Sequence, residues 1–240
     1  MLRDEDNTNN ITELLLESGV GVRPSQGSKT GIIEFLTKND EGCQVTVSHM
    51  KSPSHLFLLP ESNAKILRSV TMKILQSIEE DAGSGPETLL EGSLCLVYVK
   101  KKSCWFRAKV INLRMDGRLS LFLMDQGGTV LEYQQNVRSM SKSLQEIPGL
   151  ALEIQLRGIK PGTGTNWIKE ECEYCEVILD VGGETRFLVR NIGNREEKTF
   201  LDLEDPEGND VSSMMVELGC AAVDKLSGNT GSLSFGHYSL

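Results

Sequence analysis

Aromatic residues make up only 5% of this 240-residue chain, and histidine occurs three times. His49, His55 and His237 have no serine, cysteine or carboxylate constellation around them, so nucleophilic and acid–base catalysis lack a candidate centre. Nuclease chemistry would need acidic metal ligands and paired arginines converging on a phosphate, and the cluster Asp202, Glu204 and Asp205 reads instead as a solvated turn. No enzyme activity is expected. No apolar run approaches the roughly 20 residues that a membrane-crossing helix needs. Met1-Leu2-Arg3-Asp4-Glu5-Asp6 is acidic and polar, which excludes a secretory signal there. Basic charge is in deficit, with 25 Lys and Arg against 34 Asp and Glu, for a net charge of −9. Such a surface repels phosphate backbones and attracts cationic peptides. The lysine run Lys100-Lys101-Lys102 reads as a solvated loop.

The six cysteines, Cys43, Cys95, Cys104, Cys172, Cys175 and Cys220, lie mostly in strand-like stretches and read as reduced and packed. Cys172-Glu173-Tyr174-Cys175 has the spacing of a metal knuckle. Zinc takes four ligands, however, and no second pair or nearby His supplies the others. No metal or other cofactor is expected.

What the chain does have is a dense group of short strands between Gly92 and Val130. Leu94, Leu96 and Tyr98 alternate with Cys95, Val97 and Val99. Phe106, Ala108 and Val110 alternate with Trp105, Arg107 and Lys109. Leu119, Leu121 and Leu123 alternate with Ser120, Phe122 and Met124. Period-two alternation sends successive side chains to opposite faces of a sheet. Asp116-Gly117 is a hairpin signal, and Asp125-Gln126-Gly127-Gly128 is a second turn. Strands this short and close predict a small, strongly bent barrel.

The flanks are mixed. Ile32–Phe35, Gln44–Ser48 and Leu56–Leu59 read as strands. A helix is predicted from about Ser62 to Glu80, with Ile66, Leu67, Val70, Ile74, Leu75 and Ile78 as its apolar stripe. Beyond the barrel, Ala151–Leu156 alternates as a strand and Trp167 opens a short helix through Tyr174. Glu176–Asp180 and Glu184–Val189 bracket Gly182-Gly183 as a hairpin, Thr199–Leu203 is a last strand, and a helix starts at Val211. A capped helix near Ile11–Gly19 matches Val211–Gly219 in pattern. Either a similar unit precedes this one or two short capped helices coincide.

The blocks Cys95-Leu96-Val97-Tyr98, Trp105-Phe106-Arg107-Ala108-Lys109-Val110 and Phe122-Leu123-Met124-Asp125-Gln126-Gly127-Gly128 resemble the Tudor barrel. With Val47–Leu59, the long helix and Ile147–Pro161 added, the chain is similar to the extended Tudor domains of germline piRNA-pathway scaffold proteins, over about residues 31–226. The resemblance implies a mainly β fold with some α (α+β). In it a Tudor SH3-like barrel is inserted in a nuclease-like (OB) β-barrel and bridged by a long helix. It divides the chain into an N-terminal helix and linker (1–30) and the first part of the nuclease-like barrel with the bridging helix (31–85). The Tudor core (86–145), the rest of that barrel with the terminal helix (146–226) and a disordered tail (227–240) follow. It also implies a cytoplasmic, perinuclear germ-granule setting, and binding to the Arg-rich N-terminal tail of a Piwi-class protein.

Family members hold methylarginine in a box of about four aromatics beside an asparagine, by cation–π and apolar contact. On the resemblance, Tyr98 and Phe106 take the first two aromatic positions. Leu123 stands at the third, with its neighbour Phe122 able to contribute if the register slips by one. Gln126 replaces the fourth ring and Gly128 the asparagine. Each cation–π contact is worth roughly 0.5–2 kcal/mol, so losing two rings costs at least about tenfold in affinity. Two readings follow. In one, the cleft binds an Arg-containing peptide without needing methylation, with the Gln126 carbonyl and Asp125 serving the bare guanidinium. In the other, the cage is silent and the module is a scaffold that associates with itself. RNA as a direct ligand is disfavoured by the acidic balance and the scarce aromatics.

Overall fold

Alternating apolar runs on both sides of the central stretch close into one barrel. The computed structural model describes residues 42–80, 88–195 and 198–224. Strands β1 (Gln44–Ser52) and β2 (His55–Pro60) form a hairpin that leads into helix α1 (Glu61–Glu80). Five strands follow: β3 (Leu94–Val99), β4 (Cys104–Leu113), β5 (Arg118–Leu123), β6 (Thr129–Tyr133) and β7 (Val137–Ser139). The chain returns through α2 (Lys142–Gln145), β8 (Leu152–Leu156), β9 (Ile159–Lys160), α3 (Lys169–Ile178), β10 (Phe187–Arg195), β11 (Lys198–Glu204), α4 (Val211–Glu217) and β12 (Ala222–Val223). Strands β1, β10, β11, β8 and β2 close a barrel in that order, with β8 and β11 parallel. The second sheet, ordered β6-β5-β4-β3-β7, is inserted in sequence between β2 and β8. This is the inserted-barrel, α+β architecture that the resemblance implied. The expected helix near residue 11, the strand near residue 32 and the tail from 227 lie outside the described residues.

Three apolar clusters hold the layers together. Val45, Leu56, Leu58, Phe187, Leu201 and neighbouring residues fill the closed barrel. Cys95, Val97, Ala108, Val110, Leu121 and Leu123 fill the inserted sheet. Between the two, Ile66, Val70 and Ile74 of α1 pack on Leu96, Leu144, Ile147 and Leu150. Leu75, expected in the same stripe, is 47% exposed. At about 100° per residue it falls well off the face centred on Ile66, Val70 and Ile74. The hairpin expected at Gly182-Gly183 is also corrected. Glu176–Ile178 ends α3, because Cys175 and Leu179, one helical turn apart, are both buried against the barrel. Glu171 fixes the start of that helix by accepting from the Ile168 and Thr163 amides.

One buried charge ties the inserted sheet to its exit. Arg107, in mid-β4, has no exposed surface and alternation turns it toward α1 rather than into the sheet's own core. All five of its N–H donors are used. Nε and Nη2 donate to the two carboxylate oxygens of Asp125. Nη1 donates to the Leu144 and Ile147 carbonyls at 2.8 and 2.6 Å, and Nη2 to Pro148 at 2.9 Å. Asp125 also accepts from the Leu150 amide, and the Leu150 carbonyl accepts from Asn63 of α1. A lysine has three donors and no planar fork, so it cannot reproduce this set. Arg107→Met is expected to destabilise the fold by about 3–5 kcal/mol in urea denaturation, because it strands the Asp125 carboxylate. The double change Arg107→Met with Asp125→Leu should recover part of that loss; a double variant no more stable than the single one contradicts this account.

Candidate peptide-binding site

The turn after β5 is where the inserted sheet meets the closed barrel. Gly127 and Gly128 both have φ near +76°, and the Gly127 amide donates to the Leu123 carbonyl. A Cβ on Gly127 would come within 2.0 Å of the Phe57 ring, and one on Gly128 within 2.5 Å of the His49 ring. Both partners belong to the β1–β2 hairpin. The Ser48 hydroxyl, from the same hairpin, shares its one proton between the Gln126 carbonyl at 2.8 Å and the Phe57 carbonyl at 3.0 Å. Phe122 reaches the same contact, with its ring centroid 5.7 Å from that of Phe57.

The structure divides the seven expected site residues. Phe106 is half-buried and packs against the sheet core at the end nearest this turn. The Gln126 side chain comes to the same place, because the Lys102 ammonium lies 5.5 Å from the Phe106 centroid and donates to Gln126 Oε1 at 2.8 Å. Tyr98 does not join them. It pairs across the strands with Trp105, at 5.4 Å between centroids, while Phe106 pairs with Val97. Tyr98 and Phe106 therefore sit on opposite faces of the sheet. No register slip occurs in β5: Ala108 faces Leu123 and Lys109 faces Phe122. Leu123 is buried in the sheet core, and Phe122 is turned outward onto Phe57. Asp125 is buried beneath the turn and held by Arg107, so it is not an acceptor facing a guest. Gly128 is covered by His49, which leaves no room for the asparagine that family members carry there.

Phe106 has no ring neighbour among the described residues. What remains is a single ring face, an amide oxygen and the charge between them. Lys102, His49 and Phe57 were not foreseen. The lysine looked like part of a solvated run, and the other two come from a strand pair more than forty residues earlier in the chain. Ser103 in the left-handed region, φ 51°, closes the Lys100–Lys102 turn and connects it to β4. His49 titrates below the usual histidine range, first because it is partly buried, then because of the Lys102 charge and that of His55.

A family model for the Tudor domain matches residues 37–158, just over half of the sequence, and the chain belongs to that family. Tudor domain-containing protein 1 of Danio rerio is 24% identical over 185 residues, 75% of this chain and 15% of that protein. Tudor and KH domain-containing protein of Mus musculus is 25% identical over 142 residues, 57% of this chain and 24% of that protein. The chain thus spans a quarter or less of these relatives. Among solved structures, the Papi extended Tudor domain of Drosophila melanogaster superposes with a TM-score of 0.69 at 18% identity, covering 76% of this chain and 98% of that one. A variant of the same domain in complex with a Piwi N-terminal peptide gives 0.67 at 18% identity, covering 75% and 98%. The extended Tudor domain TD3 of mouse TDRD1, in complex with a MILI peptide containing dimethylarginine, gives 0.66 at 17% identity, covering 77% and 94%. The architecture of this chain is that of an extended Tudor domain.

Gly127→Ala combines a disfavoured backbone with overlap on Phe57, and is expected to destabilise the protein by roughly 2–4 kcal/mol in urea or thermal unfolding. Adding Phe57→Ala leaves the backbone strain and the Phe57 Cβ, which would lie 2.5 Å away, but removes the overlap with the ring. In a double-mutant cycle the loss caused by Gly127→Ala should be smaller in the Phe57→Ala background than in wild type; an equal loss means the contact between turn and hairpin is not as described.

Proposed function

We propose that this chain is a protein-interaction module that takes an Arg-rich peptide tail, of the kind carried by Piwi-class proteins, without requiring arginine methylation. The carrying observation is the pair Phe106 and Gln126, which already holds an unmethylated cation, the Lys102 ammonium, by ring face and amide oxygen. A guanidinium placed there keeps both contacts and has four further donors for water or backbone. A second, third and fourth ring, which give methyl groups their apolar surroundings, are not gathered at this point among the described residues. The acidic balance of the chain, net −9, favours the approach of a basic tail.

Relatives of the same fold were solved with a Piwi N-terminal peptide and with a dimethylarginine peptide, which supports peptide recognition as the shared task. No catalytic step belongs to this reading; among the described residues no group of three or more His, Cys, Asp or Glu could hold a metal ion. No described helix is long and apolar enough to cross a membrane. A cytoplasmic germ granule is the setting that goes with the proposal.

Calorimetric titration of one Arg-Gly-containing peptide, unmodified and symmetrically dimethylated, tests it. The unmodified form is expected to bind at least as tightly, and Phe106→Ala to weaken it by about threefold to tenfold. A clear preference for the methylated peptide contradicts the proposal.

A second reading, association between copies of the module, is favoured by one surface. Ile111, Leu113, Met115, Leu131 and Tyr133 are exposed around the β4–β5 hairpin and the edge strand β6. Light scattering over a concentration series decides it: dimers that Leu131→Glu dissolves support this reading, and a monomer throughout contradicts it.

A further inference from the structure

The cation in the seat is covalently part of the chain, so every ligand that enters the seat competes with it. Lys102 is the last residue of the three-residue 3₁₀ turn Lys100–Lys102, directly before Ser103 and β4. Its stem crosses only a short gap to Phe106, four residues on. A tethered group of this kind competes at an effective concentration of order millimolar, whatever the concentration of free ligand. A ligand side chain must therefore displace Lys102 before it can use the ring and the amide oxygen. Another ammonium offers the same point charge and the same three donors. A guanidinium offers a flat, weakly hydrated face for the ring and a rigid fork of five donors.

We propose that Lys102 is an autoinhibitory competitor of this site: it fills the seat between Phe106 and Gln126 in the absence of ligand and lowers the affinity of any basic side chain that must displace it. This rests on the peptide-binding reading above and adds to it an inhibitory contact supplied by the chain itself. On displacement, Lys102 gives up the ring and Gln126 Oε1 and moves into solvent, where it is already largely exposed. His49 lies close enough to feel the departing charge.

The test compares two peptides of identical length, one carrying Arg-Gly repeats and one Lys-Gly repeats, on the wild-type chain, Lys102→Ala and Lys101→Ala. Wild type is expected to bind the arginine peptide more tightly than the lysine peptide, because the guanidinium itself offers the better face and more donors. Lys102→Ala should tighten the arginine peptide by about threefold to tenfold, and the lysine peptide by no more than that factor. Lys101→Ala removes the same charge without vacating the seat and should change affinity by less than about twofold. In the absence of peptide, Lys102→Ala should move the Gln126 side-chain amide resonances and raise the pH at which His49 titrates. If the arginine peptide binds wild type but Lys102→Ala gains nothing over Lys101→Ala, the competition is overturned and the peptide-binding reading stands. If neither wild type nor Lys102→Ala binds any peptide, the peptide-binding reading itself falls, and the competition with it.

Discussion

The contact between Arg107 and Asp125 organises this molecule more than any other. A guanidinium with no exposed surface must satisfy every donor, since an unpaired buried N–H costs about as much as the hydrogen bonds that surround it gain. Here the five donors reach one carboxylate and three consecutive-region carbonyls, those of Leu144, Ile147 and Pro148. The first pins the turn after β5; the others pin the chain as it leaves the inserted sheet. Asp125 passes the constraint to Leu150, and Leu150 to Asn63 on the bridging helix. The inserted sheet, its exit and α1 are thereby locked in one register around a single charge pair.

That lock decides what the site can be. With Asp125 drawn beneath the turn, the residues after it are pushed toward the β1–β2 hairpin, where Ser48 holds the Gln126 carbonyl and Phe57 and His49 cover the two glycines. Close approach by two rings is why glycine stands at 127 and 128. The Gln126 side-chain oxygen accepts from the Lys102 ammonium, which lies over the Phe106 ring. The acidic residue of this turn, Asp125, is used for folding and does not face the seat. A neutral acceptor and one ring make a seat of modest strength, suited to an exchangeable ligand rather than a permanent one.

Much of this fold was readable in the sequence, because alternation is a local property. Leu119, Leu121 and Leu123 already marked the inner face of β5, and Asp116-Gly117 its hairpin. Arg107 already stood on the face opposite Phe106 and Ala108, and the structure supplies its carboxylate partner. The facing of Tyr98 was harder to read. It depends on whether the β3–β4 connection joins Tyr98 to Trp105 or to Phe106, a difference of one residue that exchanges the two faces. Lys100-Lys101-Lys102-Ser103 contains no glycine or proline to declare its turn, and Ser103 takes the left-handed conformation without a composition signal. His49 and Phe57 could not be read locally at all, since they reach the site only after the closed barrel has formed.

The pairing of Phe106 with Gln126 as a seat for an unmodified guanidinium is the central claim, and locating a bound arginine tests it most directly. A crystal structure, or intermolecular NMR contacts, of the complex with an unmethylated Arg-Gly peptide should place one guanidinium against the Phe106 ring and within hydrogen-bond distance of Gln126 Oε1, with Lys102 displaced. A guanidinium bound elsewhere, for instance beside Tyr98 and Trp105, while Lys102 remains over Phe106, would contradict it.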